Sequence, residues 1–594
     1  MVQLTINNRK IYAEEGMTIL EAAKQNNILI PHFCYLKDVH QSGSCRICVV
    51  EVEGAKTLQA SCITKISEGM VVHTNSERVK KARKMIYELI LSDHPKNCLT
   101  CSRNQSCELQ KLGEIIQADE DRIVGEKSRH FIDESSPSII RDTSKCILCR
   151  RCITICNEIQ GVGVLNAQNR GFNTVISPAA ELPLNNVNCV MCGQCATVCP
   201  VGALQEKDSI ELVWSAIHDN SKVVVVQTAP AVRAALGEEF GYEPGTLVTG
   251  KMVSALRFLG FNYVFDTNFA ADLTIIEEGN ELLDRLTNTL TGKHAVLPMV
   301  TSCSPGWIKY AEHTYPDELD HLSTCKSPHM MLGALVKSYF ADRIGVDPHN
   351  IFVVSIMPCT AKKFEITRSE MENNGCPNVD AVLTTRELAR MIKEAGIDFK
   401  SLDDSKFDNP LGMSTGAADI FGVTGGVMEA AIRTVYEIVT GRELPFEKLH
   451  VKPIVGLESV KTAELLIEEP KDEYEFLDGV TLKVAVTSGL KGAKTLMDQV
   501  VLQESPYHFI EVMGCPGGCI SGGGQPRPTD DSIRMKRLEA IYREDEQKSL
   551  RKSHENPFIK KLYDEFLKEP LGHKSHTLLH TTYTRRNQYG DGIK

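Results

Sequence analysis

The stretch EVMGCPGGCISGGGQP, from Glu511 to Pro526, places two cysteines in a glycine-rich loop directly after an apolar, strand-like run at residues 508–510. Two earlier stretches have the same form. Residues 295–307 read AVLPMVTSCSPGW and lead into Cys303, and residues 351–359 read IFVVSIMPC and lead into Cys359. Three buried-looking strands therefore each end at a cysteine.

In open α/β sheets the ligand crevice lies at the carboxyl ends of the strands. We therefore expect the sulfurs of Cys303, Cys359, Cys515 and Cys519 to meet at one place. Thiolates gathered in this way are ligands for soft transition metals. The arrangement predicts a metal cluster at the carboxyl ends of these strands.

The loops TSCSPGW (301–307), MPCTAKKFE (357–365) and EVMGCPGGCISGGGQP (511–526) resemble the three signature loops of the FeFe hydrogenases. They occur in the same order and on the same kind of element, and the resemblance extends from the N-terminus to about residue 577, in the layout of the long, multi-cluster members. It implies an oxidoreductase that interconverts dihydrogen with protons and electrons. It also implies α+β N-terminal ferredoxin-like modules, followed by a two-lobed α/β catalytic domain.

The bulk composition is that of a soluble globular protein. The 594 residues, 42% hydrophobic and 24% charged, predict roughly four domains of about 150 residues each. A net charge of -11 without a basic tract argues against a nucleic-acid partner. The chain has no run of about 18 apolar residues and no apolar signal at the N-terminus, so we expect a cytoplasmic protein without membrane contact.

The 21 cysteines are interpreted as metal ligands, because disulfides are rare in the cytosol. Nineteen fall into groups of three or four along the chain, and only Cys325 and Cys376 are left over. These two are expected to be small buried hydrophobic side chains.

Changes in pattern divide the chain into five predicted segments. They are a 2Fe-2S ferredoxin-like domain (1–78), a 4Fe-4S domain with one histidine and three cysteines as ligands (79–120), a two-cluster 4Fe-4S ferredoxin domain (135–210), the catalytic domain (220–533) and a small-subunit-like helical tail (534–594). The tail is polar, helical and then basic. We expect a solvated tail, with docking to a partner subunit as the alternative.

Residues 1–78 begin with two predicted strands around an Asn7-Asn8 turn and a helix capped by Thr18, with Glu21 three residues on. The ligands that follow are Cys34, Cys45, Cys48 and Cys62. A zinc ion could also use four thiolates. The single early cysteine, the CxxC pair and the distant fourth nevertheless resemble a 2Fe-2S module, although the first gap is shorter in the plant-type pattern.

A predicted helix from Ser76 to Leu91 leads to His94, Cys98, Cys101 and Cys107. Three thiols are one short of a four-cysteine site, and His94 is placed to be the fourth ligand. The HxxxCxxCxxxxxC pattern resembles that of hydrogenases and of the large iron-sulfur subunit of respiratory complex I. A neutral imidazole in place of a thiolate should make the 4Fe-4S cluster easier to reduce.

Two CxxCxxCxxxC runs follow and predict two further 4Fe-4S clusters. In two-cluster ferredoxins the fourth cysteine of each run binds the other cluster. One cluster is therefore assigned to Cys146, Cys149, Cys152 and Cys199, and the other to Cys189, Cys192, Cys195 and Cys156.

From about Lys222 apolar runs alternate with helical periods, which predicts an α/β region of two halves with the cysteine loops between them. The strands are expected at residues 223–226, 263–265, 295–300, 351–356, 482–486 and 508–512.

The resemblance implies an H-cluster at this centre: a 4Fe-4S cube joined to a two-iron unit that carries CO, cyanide and a bridging dithiolate. By position match, Cys519 bridges the two parts, and Cys359 and Cys515 bind the cube alone. The commoner first loop has two adjacent cysteines, whereas this chain has Cys303-Ser304. The match makes Cys303 the proton relay and Ser304 the ligand; alternatively the loop shifts and Cys303 binds iron.

The same resemblance implies the proton path and the wall of the cluster site. The path matches Glu278, Ser323 and Glu281, with Arg285 at the surface end; a buried Glu278 would have a raised pKa. Lys362 would donate to a cyanide ligand. The remaining predicted cofactor contacts are the backbone at Pro230 and Ala231 and the side chains of Met357, Phe421 and Met513.

Four electron-carrying clusters on one chain imply a wire between an electron partner and the catalytic site. By resemblance to multisubunit members of the family, the Cys303-Ser304 pair, together with the basic tail, favours the catalytic subunit of an NAD(P)-linked complex, with electron bifurcation as one form that such a complex takes. No dinucleotide fingerprint is visible, so flavin and nicotinamide would bind partner subunits. The alternatives are a stand-alone ferredoxin-dependent hydrogenase, a non-enzymatic iron-sulfur scaffold, or a hydrogen sensor, which would normally carry a signalling domain. Separate maturation proteins would make the CO and cyanide ligands.

Overall fold

The computed structural model describes residues 1–587. The N-terminal domain is a five-stranded sheet with strand order β2-β1-β5-β3-β4, where the strands are β1 (Val2–Ile6), β2 (Arg9–Ala13), β3 (Val49–Val52), β4 (Gln59–Ala60) and β5 (Val71–His73). Helix α1 (Ile19–Gln25) begins after Thr18, whose hydroxyl accepts the backbone N–H of Glu21. The predicted capping box is confirmed.

Two helices connect this sheet to the next module. Helix α2 (Glu77–Asp93) is capped by Ser76 and ends at His94, and α3 (Glu108–Ile116) begins directly after Cys107. The segment that contains Cys98 and Cys101 therefore lies between two helix ends.

The two-cluster module contains a three-stranded and a two-stranded sheet. Its strands are β6 (Ile132–Asp133), β7 (Ile139–Asp142), β8 (Asn166–Gln168), β9 (Val175–Ser177) and β10 (Leu204–Glu206). Helices α4 (Arg151–Thr154) and α5 (Gln194–Val198) each start inside one CxxCxxCxxxC run. The two runs are therefore related elements, as the repeated spacing predicts.

The catalytic region is built on ten strands: β11 (Val223–Thr228), β12 (Tyr263–Asp266), β13 (Met299–Val300), β14 (Ile351–Met357), β15 (Glu372–Asn373), β16 (Cys376–Pro377), β17 (Ala381–Thr384), β18 (Val460–Leu466), β19 (Thr481–Ser488) and β20 (Phe509–Met513). Eight of them form two four-stranded sheets, in the orders β12-β11-β14-β17 and β13-β20-β19-β18. The first sheet is parallel throughout, and only β18 runs antiparallel in the second. The predicted two-lobed α/β fold is confirmed.

Helices cover both sheets. They are α6 (Ile210–Ile217), α7 (Thr249–Phe258), α8 (Thr267–Leu290), α9 (Pro305–Thr314), α10 (Pro328–Leu335), α11 (Ala341–Ile344), α12 (Lys362–Glu365), α13 (Thr385–Glu394), α14 (Gly416–Asp419), α15 (Gly426–Thr440) and α16 (Leu490–Val501). Helix α8, with 24 residues, is buried along most of its length. It is therefore central to the packing of both lobes.

The strand predicted over residues 295–300 is wrong in its extent. Only Met299 and Val300 pair, both with β20. Pro298 precedes them and has no backbone N–H to give to a neighbouring strand, so the ladder starts after it. The apolar run therefore enters the sheet only at its end.

The expectation of a solvated tail is also wrong. Helices α17 (Asp531–Gln547), α18 (Pro557–Leu562) and α19 (His573–Leu579) pack on the catalytic region. Arg537 and Asp545 of α17 are fully buried, and Asp545 accepts two hydrogen bonds from Arg433 of α15. The polar side chains that suggest a solvated tail thus have buried partners. Residues 588–594 of the predicted tail lie outside the described residues.

Among residues 1–587, no helix combines the length and the apolar character needed to cross a bilayer.

Candidate active site and iron-sulfur cradles

One cavity lies between the two lobes of the catalytic region. Its wall contains all four sulfurs of the signature loops: Cys303 follows β13, Cys359 follows β14, and Cys515 and Cys519 follow β20. The sulfurs meet as expected, but they come from two facing sheets and not from one sheet edge. A cluster held there would be enclosed by both lobes.

The structure separates the surroundings of Cys303 and Ser304. The Ser304 hydroxyl accepts the backbone N–H of Gly514, at 3.1 Å, and so lies beside the loop that carries Cys515. Burial raises the pKa of the Cys303 thiol well above its ordinary value, and the nearby Glu278 carboxylate raises it further. Cys303 thus lies near the predicted proton path, and Ser304 lies beside the loop that carries the predicted cube ligand Cys515.

Lys362 is fixed at the edge of the cavity by two hydrogen bonds. Its ammonium donates to the Cys303 carbonyl at 3.0 Å and to the Glu365 carboxylate at 2.8 Å. Glu365 is held in turn by His329, at 2.7 Å. An ammonium has three N–H donors. Within the described residues, one donor of Lys362 therefore remains for a ligand in the cavity.

The rest of the cavity wall is largely apolar. Pro230, Met357, Phe421 and Met513 all contribute to it. Ala231 lies behind this wall, where its carbonyl accepts the side-chain amide of Gln525 at 3.0 Å. The structure thus brings four of the five predicted cofactor contacts to the cavity and places Ala231 outside it.

The predicted proton path forms a continuous line of side chains from the cavity. Glu278 on α8 is buried, and the nearby Ser323 hydroxyl acts to lower the pKa of its carboxyl. The same hydroxyl donates to Glu281 at 2.9 Å, and Arg285 donates to Glu281 at 2.7 Å. The three residues of α8 lie on one face because they are spaced by three and four.

Burial, together with the Glu281 carboxylate, raises the pKa of Glu278 to about 8. The folded protein therefore holds a proton on Glu278 at neutral pH, and loses it as the pH rises through about 8. We expect an infrared band of a protonated carboxyl that is present at pH 6 and disappears above this value. The band should be absent from a Glu278→Gln variant; a band that persists in the variant would contradict the assignment.

The four thiols of the N-terminal domain are gathered in its core. Cys34, Cys45, Cys48 and Cys62 are all buried, and the sulfurs of Cys48 and Cys62 are 3.4 Å apart. Four buried thiols in contact provide a soft-metal donor set. The residues therefore fit a small iron-sulfur cluster.

The two cysteine runs are interleaved in space. One cavity is lined by Cys146, Cys149, Cys152 and Cys199, and another by Cys156, Cys189, Cys192 and Cys195. These are the two crossed sets that the sequence predicts. Each cavity offers four sulfurs within an otherwise largely apolar wall, which fits a 4Fe-4S cube.

His94 is half-buried, and within the described residues its buried Nδ1 atom has no hydrogen-bond partner. Burial lowers its pKa to about 4. The ring is therefore neutral at physiological pH, which is the form that binds a metal. Cys98 is exposed, whereas Cys101 and Cys107 are partly buried. An orphaned neutral imidazole is what the predicted ligand role requires.

The second of these 4Fe-4S cavities adjoins the catalytic cavity. The Gln194 amide donates to the Ser521 carbonyl and the Thr360 hydroxyl donates to the Met191 carbonyl, both at 2.8 Å. Gln194 and Met191 belong to the second cysteine run, whereas Thr360 and Ser521 belong to the catalytic loops. These contacts hold the two sites side by side.

Gly193 lies at a tightly packed point of this contact. A Cβ added there would lie 2.4 Å from the Thr360 hydroxyl and 3.2 Å from Gly523 Cα, and the φ of Gly193 is +71°. We expect Gly193→Ala to destabilise the contact by about 1–3 kcal/mol and to slow electron transfer into the catalytic site. Thermal unfolding and the magnetic coupling between the two clusters would measure this.

Gly163 offers a matched control, because its φ is +74° and nothing lies within 4 Å of an added Cβ. Gly163→Ala should show only the loss of stability that comes from placing an alanine at a positive φ, without a steric clash. Equal effects of the two variants on the magnetic coupling would contradict the role of the Gly193 contact.

Several residues of the site are not predictable from their sequence context. Glu511 is fully buried on β20 and accepts the backbone N–H groups of Gly425 and Met428 at 2.7 Å each, so it holds the start of α15 against the cysteine strand. Cys325 and His580 meet Glu281 of the predicted proton path, and His580 also contacts Glu277. Nothing local marks these side chains, since their partners are distant in sequence.

Comparisons with known proteins agree with this geometry. A family model described as iron only hydrogenase large subunit, C-terminal domain, matches residues 222–523, and one described as iron hydrogenase small subunit matches residues 531–586. Three N-terminal models match a 2Fe-2S iron-sulfur cluster binding domain (1–77), an NADH-ubiquinone oxidoreductase-G iron-sulfur binding region (83–122), and an NADH-quinone oxidoreductase subunit 3 ferredoxin-like domain (136–205).

Two relatives are similar along the whole chain. The NADP-reducing hydrogenase subunit HndD of Solidesulfovibrio fructosivorans is 51% identical over 99% of this chain and 100% of its own length. Iron hydrogenase 1 of Clostridium pasteurianum is 40% identical over 98% and 100%, respectively. A solved variant of the FeFe-hydrogenase HydA1 from Chlamydomonas reinhardtii is 44% identical, with a TM-score of 0.57 over 64% of this chain and 99% of that one.

Proposed function

The chain belongs to the iron-only hydrogenases, which interconvert dihydrogen with protons and electrons, and from this we propose that it is the catalytic subunit of an NAD(P)-linked complex. The observation that carries the proposal is the cavity between the lobes. There four sulfurs, an ammonium and the start of a buried proton path meet at one place. The scaffold alternative accounts for the thiols but gives no role to the path.

We assign the cube of the H-cluster to Cys359, Cys515, Cys519 and Ser304, with Cys519 also reaching the two-iron unit. When bound, this group supplies the iron site at which dihydrogen is cleaved or formed. The protein encloses it in apolar surface from Met357, Phe421 and Met513, which excludes water from the cavity. Lys362 supplies a fixed positive donor to its anionic ligands.

The proton steps are assigned to the chain's own residues. The Cys303 thiol, neutral because of burial, passes a proton to Glu278 once Glu278 has given its own proton to Ser323, and the thiol accepts a replacement from the cavity. Ser323 then connects Glu278 to Glu281 through its single hydroxyl. Each group can donate and accept, so the line can carry protons in both directions.

The electron steps are assigned to the N-terminal cradles. We propose one 2Fe-2S cluster and three 4Fe-4S clusters, bound by the residues predicted above. The cavity lined by Cys189, Cys192 and Cys195 adjoins the catalytic site, so electrons enter and leave there. The other cradles lead away from it towards the partner.

The partner is proposed to be a flavin-bearing subunit that reacts with NAD(P). The full-length similarity to a subunit named for NADP reduction supports this, as does the absence of a dinucleotide fingerprint from the sequence. A stand-alone ferredoxin-dependent enzyme is the second candidate, since iron hydrogenase 1 of Clostridium pasteurianum also matches over its whole length. In either case we place the protein in the cytoplasm, served by maturation proteins.

The test is an infrared spectrum of anaerobically matured protein, followed by an assay of dihydrogen oxidation with a viologen dye. Bands of metal-bound CO and cyanide, together with dye reduction, are the expected results. Matured, cluster-loaded protein without these bands would overturn the hydrogenase assignment. Co-purification of flavin-bearing subunits and NADP reduction would support the complex, and activity with ferredoxin alone would favour the second candidate.

A further inference from the structure

The C-terminal segment contributes a group of titratable side chains to the outer end of the proton path. Ligating atoms of Glu281, Cys325 and His580 all lie within 4.8 Å of one another, and all three residues are buried. His580 follows α19, whereas Glu281 is on α8 and Cys325 follows the Ser323 loop. The roles assigned so far use only Glu281.

Cys325 links Glu281 to this group. Its thiol lies 4.0 Å from the Glu281 carboxylate, at the distance of a sulfur hydrogen bond. Burial, with the neighbouring Glu281, Glu278 and Glu277 carboxylates, raises the pKa of Cys325 well above its ordinary value. It therefore stays a neutral thiol, which can accept a proton on sulfur as it gives up its own.

His580 is held by a partner on each ring nitrogen. Nδ1 pairs with the Thr324 hydroxyl at 2.8 Å, and Nε2 pairs with the Glu277 carboxylate at 3.2 Å. Glu277 also accepts the Tyr563 hydroxyl at 2.5 Å and the Leu571 N–H at 2.8 Å. Burial alone would raise the pKa of Glu277, but these bonds lower it, so an anionic carboxylate faces the ring.

His576 connects this buried ring to solvent. The ring centroids of His576 and His580 are 4.3 Å apart, and His576 is exposed. The two residues are four apart at the end of α19, so the helix itself sets their contact. Glu281, Cys325, His580 and His576 therefore form a line from the buried path to the surface.

Arg285 also contacts Glu281, but it is unsuited to carrying a proton from Glu281 to solvent. Its guanidinium donates to Glu281 and to the carbonyls of Val296, Asp320 and Leu322. A guanidinium does not release its proton in proteins. Arg285 can fix the Glu281 carboxylate, but a proton could pass it only through water.

We propose that Cys325, His580 and His576 form a proton exit from Glu281 through the C-terminal segment, here named the histidine port. In the outward direction Glu281 gives a proton to the Cys325 sulfur while the thiol proton moves to His580 Nδ1, which becomes free when the Thr324 hydroxyl turns from donor to acceptor. His580 then passes a proton to His576, which releases it to buffer. Glu281 ends as a carboxylate and Cys325 as a thiol, so one proton leaves Glu281 and one proton reaches the buffer. The inference rests on the proposed hydrogenase function.

The test is His576→Ala in the complete, matured protein, assayed in a dilute buffer. We expect dihydrogen turnover to fall by about fivefold and to recover when imidazole is added, because a free base can replace a missing surface shuttle. His573→Ala is the matched control: His573 is also exposed on α19, but the described structure shows no ring contact between it and His580. Its turnover and buffer dependence should match those of the unmodified protein.

Two variants of Cys325 test the buried step. Cys325→Val should lower turnover with no recovery in imidazole, and Cys325→Ser, which keeps a proton donor, should retain most of it. Unchanged CO and cyanide bands in every variant would show that the cluster site is assembled. Full activity of His576→Ala without buffer dependence would overturn the histidine port alone, whereas an unmodified, matured protein without turnover would overturn the proposed function.

Discussion

Cys303→Ala is expected to lower dihydrogen turnover by about 10³-fold while the H-cluster still assembles, because the variant removes the cavity thiol assigned to exchange protons with nearby Glu278. A positioned proton donor contributes about 10²–10⁴-fold to such reactions. The turnover rate and the infrared spectrum of the variant would both be measured. The bands of CO and cyanide should persist in the variant.

Ser304→Ala is the matched variant at the adjacent position. The Ser304 hydroxyl lies at the Gly514–Cys515 loop, so its loss should weaken the cube and change the infrared bands or the iron content. Ser304→Cys should restore assembly with a stronger ligand. If Cys303→Ala instead abolished the bands and Ser304→Ala left them intact, the loop would be shifted and Cys303 would be the iron ligand.

Glu278→Gln is expected to reduce turnover by about 10²–10⁴-fold, because the amide keeps the shape of the side chain but cannot take up and release a proton. Glu278 is buried and connects the cavity to Ser323, with a pKa of about 8. Dye-linked assays in both directions would measure the loss, and the CO and cyanide bands should be unchanged.

Two variants of the same helix control this experiment. Glu278→Asp keeps a carboxyl and should recover part of the rate. Asp284→Asn removes an exposed acid of α8, whose carboxylate accepts only the Asn288 amide among the described hydrogen bonds, and should have no effect. Normal turnover of Glu278→Gln would show that protons leave the cavity by another route.

The Cys303 and Glu278 predictions start from residues that sequence alone singles out. The cysteine runs fix the cluster modules, because ligands two or three residues apart on one turn can reach one metal site whatever surrounds them. The apolar runs fix most strands, since a strand buried on both faces is apolar throughout. The short β13 is the exception, because Pro298 has no backbone N–H and the strand therefore begins only after it.

The sequence shows that either Cys303 or Ser304 could bind the cluster, but it does not distinguish the two. Two adjacent side chains can each turn towards the cluster, and spacing does not distinguish them. The contact of Ser304 with Gly514, 210 residues away, and the approach of Cys303 to Glu278 are tertiary facts. They support the position match without any change in the motif.

By itself, then, the sequence determined the family and predicted the modules, the metal-binding cysteines and the first half of the proton path. Only the tertiary structure decided that the two lobes face each other across one cavity, that the polar tail is packed, and that His580 approaches Glu277 from 303 residues away. Short-range patterns carry no information on such pairs. Burial also sets the protonation state of Glu278, because desolvation depends on every element packed around the carboxyl and not on its neighbours in sequence.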